Sequence, residues 1–412
     1  GRHDSSPVCV MAGEFLPAWP PEANSFTLFG LLLLAGLVAG RIAARTRVLP
    51  SITGYIAIGF LLGPGVLNWL TEGALADARI FVDISLGLVV FELGRRLDLQ
   101  WARHDRWLLP AGIAESLLSF AAMFTLLTYF EIAPLEAAVA ATVGVATAPA
   151  VVLLVAAELK AEGPVTRRAL WHVALNNIIA MLGVALLLPF IEAREAGSPW
   201  HPAARALWLV AGSFLLGCLA FWTTRLLARV VGKSDAPQFI LVVGMIVLTV
   251  GLAQLGHLSV LLAVLVFGVA VRNFDPDHRL IDIRLGHAAR LFFVVLFVVT
   301  GATLRPDQFG SIAWIGLALV LVRLLGKALA LHLFAWPARI SIQQAATLSL
   351  TLTPMAGLAI GMTQPIYDVA PGFGVQLAAI IASGIAILHL IGPIATRYAL
   401  VASGEGGENG VD

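Results

Sequence analysis

Thirteen runs of mostly apolar residues follow one another through this chain, separated by short polar breaks. They lie near 26–44, 50–70, 79–97, 108–130, 134–157, 168–191, 203–230, 237–255, 257–272, 287–304, 310–335, 341–363 and 373–398. A helix needs about 20 such residues to span a bilayer. In lipid every backbone amide and carbonyl must be paired inside the protein, so runs of this kind form helices. The chain therefore reads as an all-α integral membrane protein with about 13 transmembrane helices.

Composition agrees with this. Only 12% of residues are charged, against about 25% in soluble domains, and the mean hydropathy is +0.90. A net charge of +1 offers no basic field for nucleic acid. The two cysteines, Cys9 and Cys218, sit in unrelated contexts, so no structural disulfide is expected. There is no CxxC pair, HExxH or Walker loop, and the reading carries no cofactor, no metal and no enzymatic activity. Residues 1–24 show no signal peptide, and Met11 is a candidate start. Residues 399–412, with "GEGGENG", are expected to be disordered, leaving no soluble regulatory domain at either end.

The loop charges test the helix count. One set of alternate loops holds Arg41, Arg45, Arg47, Arg95, Arg96, Arg103, Arg106, Lys160, Arg167, Arg168, Arg225, Arg229, Lys233, Arg272, Arg279, Arg284, Arg339 and Arg397, which is 18 basic residues. The other holds Arg2, Arg79, Arg194, Arg205 and Arg305, which is 5. Arg290, Arg323 and Lys327 fall within runs. Basic residues collect on the cytoplasmic side, so the N-terminus is expected outside and the C-terminus inside.

An odd helix count allows two six-helix halves of opposite orientation around one extra helix. "LGLVVFELGRRLDL" and "FFVVLFVVTGATLRPD" align when Gly94 is set on Gly301, an offset of 207. The same offset nearly superposes "ATVGVATAPAVVLL", with Thr147 and Pro149, on "LSLTLTPMAGLAIG", with Thr353 and Pro354. The expected partition is an outer segment 1–24, repeat one 25–192, a linker helix 203–230, repeat two 237–398 and the segment 399–412. Proline removes a donor and clashes with the preceding turn, so both Thr–Pro runs should break near mid-membrane. Matched interrupted helices in two halves point to a transport site.

Charges inside a bilayer are costly and face a cavity or a partner. The candidates are Asp83, Glu92, Glu115, Arg290, Arg323 and Lys327. Asp83 reads as interfacial and Arg290 as snorkelling. Glu92 is one turn from Arg95 and Arg96 and can pair with either. Glu115 lies deeper, in a functional or ion-paired setting. Arg323 and Lys327 share a face of the eleventh run, and the offset makes that run the mate of the one carrying Glu115. His257, His287, His332 and His389 are expected to be hydrogen-bonded structural residues. Asn176 and Asn177, with His172 one turn earlier, need polar partners. They could ligate a dehydrated cation, hold the broken fifth run, or bond neighbouring helices.

At these residues the chain resembles the monovalent cation/proton antiporter superfamily. Within it, the match is to the bacterial sodium/hydrogen exchanger-like, two-bundle branch with glutathione-gated potassium efflux relatives. "PSITGYIAIGFLLGPGVL" is similar to the family's second-helix signature and "LGLVVFELGRRLDL" to its third. "LSVLLAVLVFGVAVRN" and "LFFVVLFVVTGATL" resemble its later motifs, and "VRLLGKALA" its core basic helix, best matched by Lys327 and next by Arg323. The resemblance implies a homodimer, a dimerisation bundle, and a mobile core bundle that moves like an elevator, with two discontinuous helices crossing at the ion site.

One position departs from the family. Where it carries a pair ending in Asp, this chain has Asn176-Asn177, and an amide does not exchange a proton near neutral pH as a carboxylate does. The expected function is exchange of a monovalent cation, Na+ or K+, for protons across the bacterial inner membrane. The expected site is Asn176, Asn177, Glu115, Lys327, Arg323, Thr147 and Thr353, with Glu115, or else Glu92, as a displaced carrier. The alternative is an uncoupled cation pathway or an anion carrier on the same fold. A sensor or membrane enzyme is the third reading.

Overall fold

The structure, a computed structural model, describes residues 25–46, 49–195, 201–232, 234–275, 286–304, 313–355 and 357–406. The segment 1–24, with Cys9 and Met11, lies outside these residues. So do Arg47, Lys233, Arg279, Arg284 and Arg305, and the side chains of His287 and Arg290.

The described chain is helical throughout. It comprises α1 (Ser25–Arg45), α2 (Ser51–Leu62), α3 (Glu72–Asp77), α4 (Arg79–Arg96), α5 (Leu99–His104), α6 (Leu108–Tyr129), α7 (Pro134–Val145), α8 (Pro149–Glu158) and α9 (Pro164–Glu195). There follow α10 (Pro202–Val231), α11 (Asp235–Leu255), α12 (Val260–Phe274), α13 (Gly286–Ala302), α14 (Ala313–Leu333), α15 (Ile342–Thr351), α16 (Gly357–Val369) and α17 (Pro371–Ala402). Each apolar run carries one helix or a pair of half-helices. Among the described residues, seven spans are long and apolar enough to cross a membrane, and three apolar helices are shorter.

Several boundaries differ from expectation, each for a local reason. The second run forms helix only to Leu62, because Gly63 turns extended (φ −67, ψ 172) and Pro64 follows. Its 12 residues span about 18 Å, short of the roughly 30 Å hydrocarbon core. The short helices α3 and α5 were not expected. α3 is capped by the Thr71 hydroxyl, which accepts from the Ala74 amide. α5 is capped by Asp98, which accepts from the Gln100 and Trp101 amides and from Arg272 of α12 at 2.7 Å. Partial burial opposes the Asp98 charge, but these donors outweigh it and hold the carboxyl below the usual carboxylate range. Disorder from 399 onward is not what the structure shows up to Gly406: α17 continues to Ala402 and the next four residues pack against the helices.

Glycines set the tightest crossings. A Cβ on Gly268 of α12 would lie 2.3 Å from the Phe91 carbonyl oxygen of α4, and one on Gly94 of α4 would lie 2.5 Å from that of Leu265. The α2–α13 crossing is built alike, with Gly59 against Val298 and Gly301 against Ile56. Gly268→Ala should therefore push two backbones apart. It is expected to cost about 1–3 kcal/mol and lower the melting temperature in detergent. Gly30→Ala, with nothing within 4 Å, should not. Equal melting of the two variants would contradict this packing.

Three hydrogen bonds join residues about 207 apart. The Ser85 hydroxyl donates to the Phe292 carbonyl at 3.0 Å, that of Ser119 to the Arg323 carbonyl at 3.5 Å, and the Ala148 amide to the Pro354 carbonyl at 2.9 Å.

Candidate ion-binding site

The site begins with two helix breaks. α7 ends at Val145, Ala146 and Ala148 are extended, and Pro149 opens α8. Proline at 149 offers no amide to the preceding turn and drives Ala148 out of the helical region. In the mate, α15 ends at Thr351, Thr353 and Pro354 are unwound, and α16 starts at Gly357. Both breaks were expected. Each leaves carbonyls facing the protein centre, and each half-helix C-terminus carries about half a negative charge.

Arg323 of α14 answers both ends. Its Nε donates to the Gly144 carbonyl at 2.7 Å, and its terminal nitrogens reach those of Ala146 at 2.9 Å and Thr353 at 3.0 Å. The Leu352 carbonyl is at 3.4 Å. One guanidinium thus serves four carbonyls from two broken helices.

One turn along α14, Lys327 forms an ion pair with Glu115 Oε1 of α6. Its ammonium also donates to the Val145 carbonyl and the Thr147 hydroxyl, each at 3.3 Å. Asn176 of α9 donates through Nδ2 to Glu115 Oε1 and to the Thr147 hydroxyl, each at 3.2 Å, and its Oδ1 accepts from Ser116 at 2.8 Å. Asn177 donates through Nδ2 to the carbonyls of Thr147 and Val173, both at 2.7 Å. Two acceptors fix the orientation of this amide, because the flipped form would set oxygen against oxygen. Asn177 Oδ1 and Glu115 Oε2 are buried without a hydrogen-bond partner. His172 Nδ1 lies 3.8 Å from Glu115 Oε2, too far for a hydrogen bond.

Glu115, Asn176, Asn177, Arg323 and Lys327 are all 0% exposed. Their formal charge is two cations minus one carboxylate, +1. The structure thus brings together Asn176, Asn177, Glu115, Lys327, Arg323 and Thr147, and Thr353 joins through its carbonyl. Asn177 bonds the Thr147 carbonyl of the broken run, and Asn176 bonds the Thr147 hydroxyl there together with Glu115 and Ser116 of α6. Glu92 stands apart, paired with Arg95 at 3.4 Å and Arg96 at 2.9 Å at the end of α4. Ser116 was missed, although it adjoins Glu115. The carbonyls of Gly144, Val145 and Ala146 carry no side-chain signal and could not have been found.

The histidines divide. His332 bonds the Ala328 carbonyl at 2.7 Å, as expected. His389 is buried in α17 and neither ring nitrogen has a hydrogen-bond partner, against expectation. His257 sits in the turn before α12 and lines a cavity of about 630 Å³ with Asp83, Gln254, Glu192 and Arg205. Glu192 and Arg205 form an ion pair at 3.4 Å. The cavity extends to Met181 of α9, one turn from Asn177, but neither Asn177 nor Glu115 lines it.

The family described as sodium/hydrogen exchanger, transmembrane, matches residues 29–401. No curated protein matches the sequence. Among solved structures, the fold is similar to the sodium proton antiporter MjNhaP1 from Methanocaldococcus jannaschii at pH 8. That likeness has a TM-score of 0.67 at 17% identity and covers 92% of this chain and 96% of that one. An electron-microscopy structure of the same antiporter gives 0.68 at 16% identity, covering 92% and 97%.

Proposed function

Since this chain belongs to the sodium/hydrogen exchanger family of transmembrane proteins, we propose that it exchanges a monovalent cation, Na+ or K+, for protons, with Glu115 as the carrier carboxylate. The carrying observation is the buried Glu115–Lys327 pair at the crossing of two broken helices. The Lys327 ammonium is held entirely by oxygens, from Glu115, Val145 and Thr147. The same oxygens suit a dehydrated monovalent cation. An incoming cation takes the place of the Lys327 ammonium on Glu115, and the displaced ammonium releases its proton to the water that delivered the cation, so that one cation is exchanged for one proton.

The remaining expectations fit this reading. Contacts between residues about 207 apart, and the paired glycine crossings, support an inverted repeat around the α10 linker. The cavity lined by α4, α10, α12 and α13 and by α9 and α16 supports a core bundle that moves against a second bundle, and the homodimer rests on the family resemblance. The loop charges support an orientation with the N-terminus outside, and the bacterial inner membrane rests on the family resemblance.

The +1 formal charge favours the anion-carrier alternative, but both cations are engaged, Arg323 by carbonyls and Lys327 by Glu115. Purified protein in liposomes decides between them. Dissipation of a pH gradient on adding sodium, potassium or lithium supports exchange. Anion flux without cation-dependent proton movement supports the alternative.

Asn177→Asp separates this site from its relatives. The amide donates one bond to the Thr147 carbonyl in the break and one to the Val173 carbonyl of its own helix, whereas a carboxylate donates none and a carboxylic acid one. The variant is expected to lose about 2–3 kcal/mol of stability and gain no exchange, read by melting and liposome assay. Faster exchange in this variant would put the carrier at 177.

A further inference from the structure

α9 carries Asn176 and Asn177, and its first turn lacks a local cap. Pro164 opens the helix and Gly163 before it has no side chain, so the amides of Val165 and Thr166 need an acceptor. Glu405, beyond α17, supplies it. One carboxylate oxygen accepts from the Val165 amide at 2.6 Å, and the other from the Thr166 amide and hydroxyl, both at 2.7 Å. The fit is close: a Cβ at Gly163 would lie 2.3 Å from the Glu405 side chain. The segment bearing Glu405 is itself held in place. The Glu405 and Gly406 amides donate to the Leu400 carbonyl, Gln343 of α15 donates to the Ala402 carbonyl, and Gly406 rests against Leu159 after α8.

We propose that Glu405 is a positioning residue for the exchange site, and that residues 402–406 form a strap tying α8, α9, α15 and α17 into one body. The inference rests on the proposed role of Glu115 and its α9 neighbours in exchange. α8 and α15 belong to the two broken helices, and Asn177 bonds the break between α7 and α8. Glu405 therefore fixes α9 along its axis relative to both breaks, from about 15 Å away. An electrostatic cap alone would serve α9 equally well from position 163. A tie between α17 and α9 would not be replaced in that way.

That difference is the test. In the full chain in liposomes, Glu405→Ala is expected to slow sodium- or potassium-driven proton exchange roughly tenfold, as a small misplacement of a site does. Gly163→Asp should slow it as much, because the new side chain excludes Glu405 although it caps Val165 and Thr166 locally. The double variant should be no slower than either. Restoration of wild-type rates in the double variant would reduce Glu405 to a cap and overturn the proposal, as would wild-type rates in Glu405→Ala. Amide hydrogen exchange reads the docking whatever is transported. Val165 and Thr166 should exchange roughly tenfold faster in Glu405→Ala, and unchanged protection there would overturn the strap. A wild-type protein that moves no protons with any cation would instead remove the reading of Glu115, leaving hydrogen exchange to decide the strap.

Discussion

Glu115→Gln is expected to abolish cation-dependent proton movement in liposomes. The substitution keeps the side-chain volume and removes the carboxylate that pairs with Lys327. Nothing else among the named site residues can take its place. Asn176 and Asn177 are amides, and Glu92 is engaged by Arg95 and Arg96 at the end of α4. Removing one partner of a buried pair costs about 3–5 kcal/mol, so loss of activity alone does not separate a missing carrier from an unfolded protein. Glu115→Gln combined with Lys327→Met addresses that. It removes both charges, which is often neutral for stability, and should give a folded protein that still moves no protons. Glu92→Gln should exchange normally. Normal exchange in Glu115→Gln, or its loss only in Glu92→Gln, would move the carrier elsewhere.

The second large effect is structural. Arg323→Met should leave no folded protein to recover. Four carbonyls at the ends of α7 and α15 lose their donor at once, at about 1–3 kcal/mol each when buried. The two half-helix ends also lose the cation that balances about one unit of negative charge between them. The sum rivals the roughly 5–15 kcal/mol that holds a typical domain folded. Arg323→Lys keeps the charge but has three donors in place of five, and should recover in part. Size-exclusion chromatography of detergent extracts reads both. A monodisperse, heat-stable Arg323→Met protein would show that the carbonyls find other donors.

Much of this molecule was legible in its sequence because lipid leaves few choices. A run of about 20 apolar residues has to be helical there, and proline at 149 and 354 has to interrupt its helix. Charge inside a span is costly, which marked Glu115, Arg323 and Lys327, along with Asp83, Glu92 and Arg290, as needing a cavity or a partner. The 207-residue offset set the helices bearing Glu115 and Lys327 as mates, yet that did not imply that the two side chains touch.

What the tertiary structure decided is which partner each group takes. The family resemblance pointed to Lys327 as the core basic residue and to Arg323 second. The two in fact divide the work, Arg323 with the carbonyls of both breaks and Lys327 with Glu115. Those carbonyls belong to the backbone and leave no mark in residue identity. The shortened α2, the helices α3 and α5, and the docking of Glu405 on α9 were equally hidden. Each depends on a local cap, or on an acceptor up to 240 residues away. Periodicity and charge report what a segment needs buried or paired, and only the packed chain determines what meets that need.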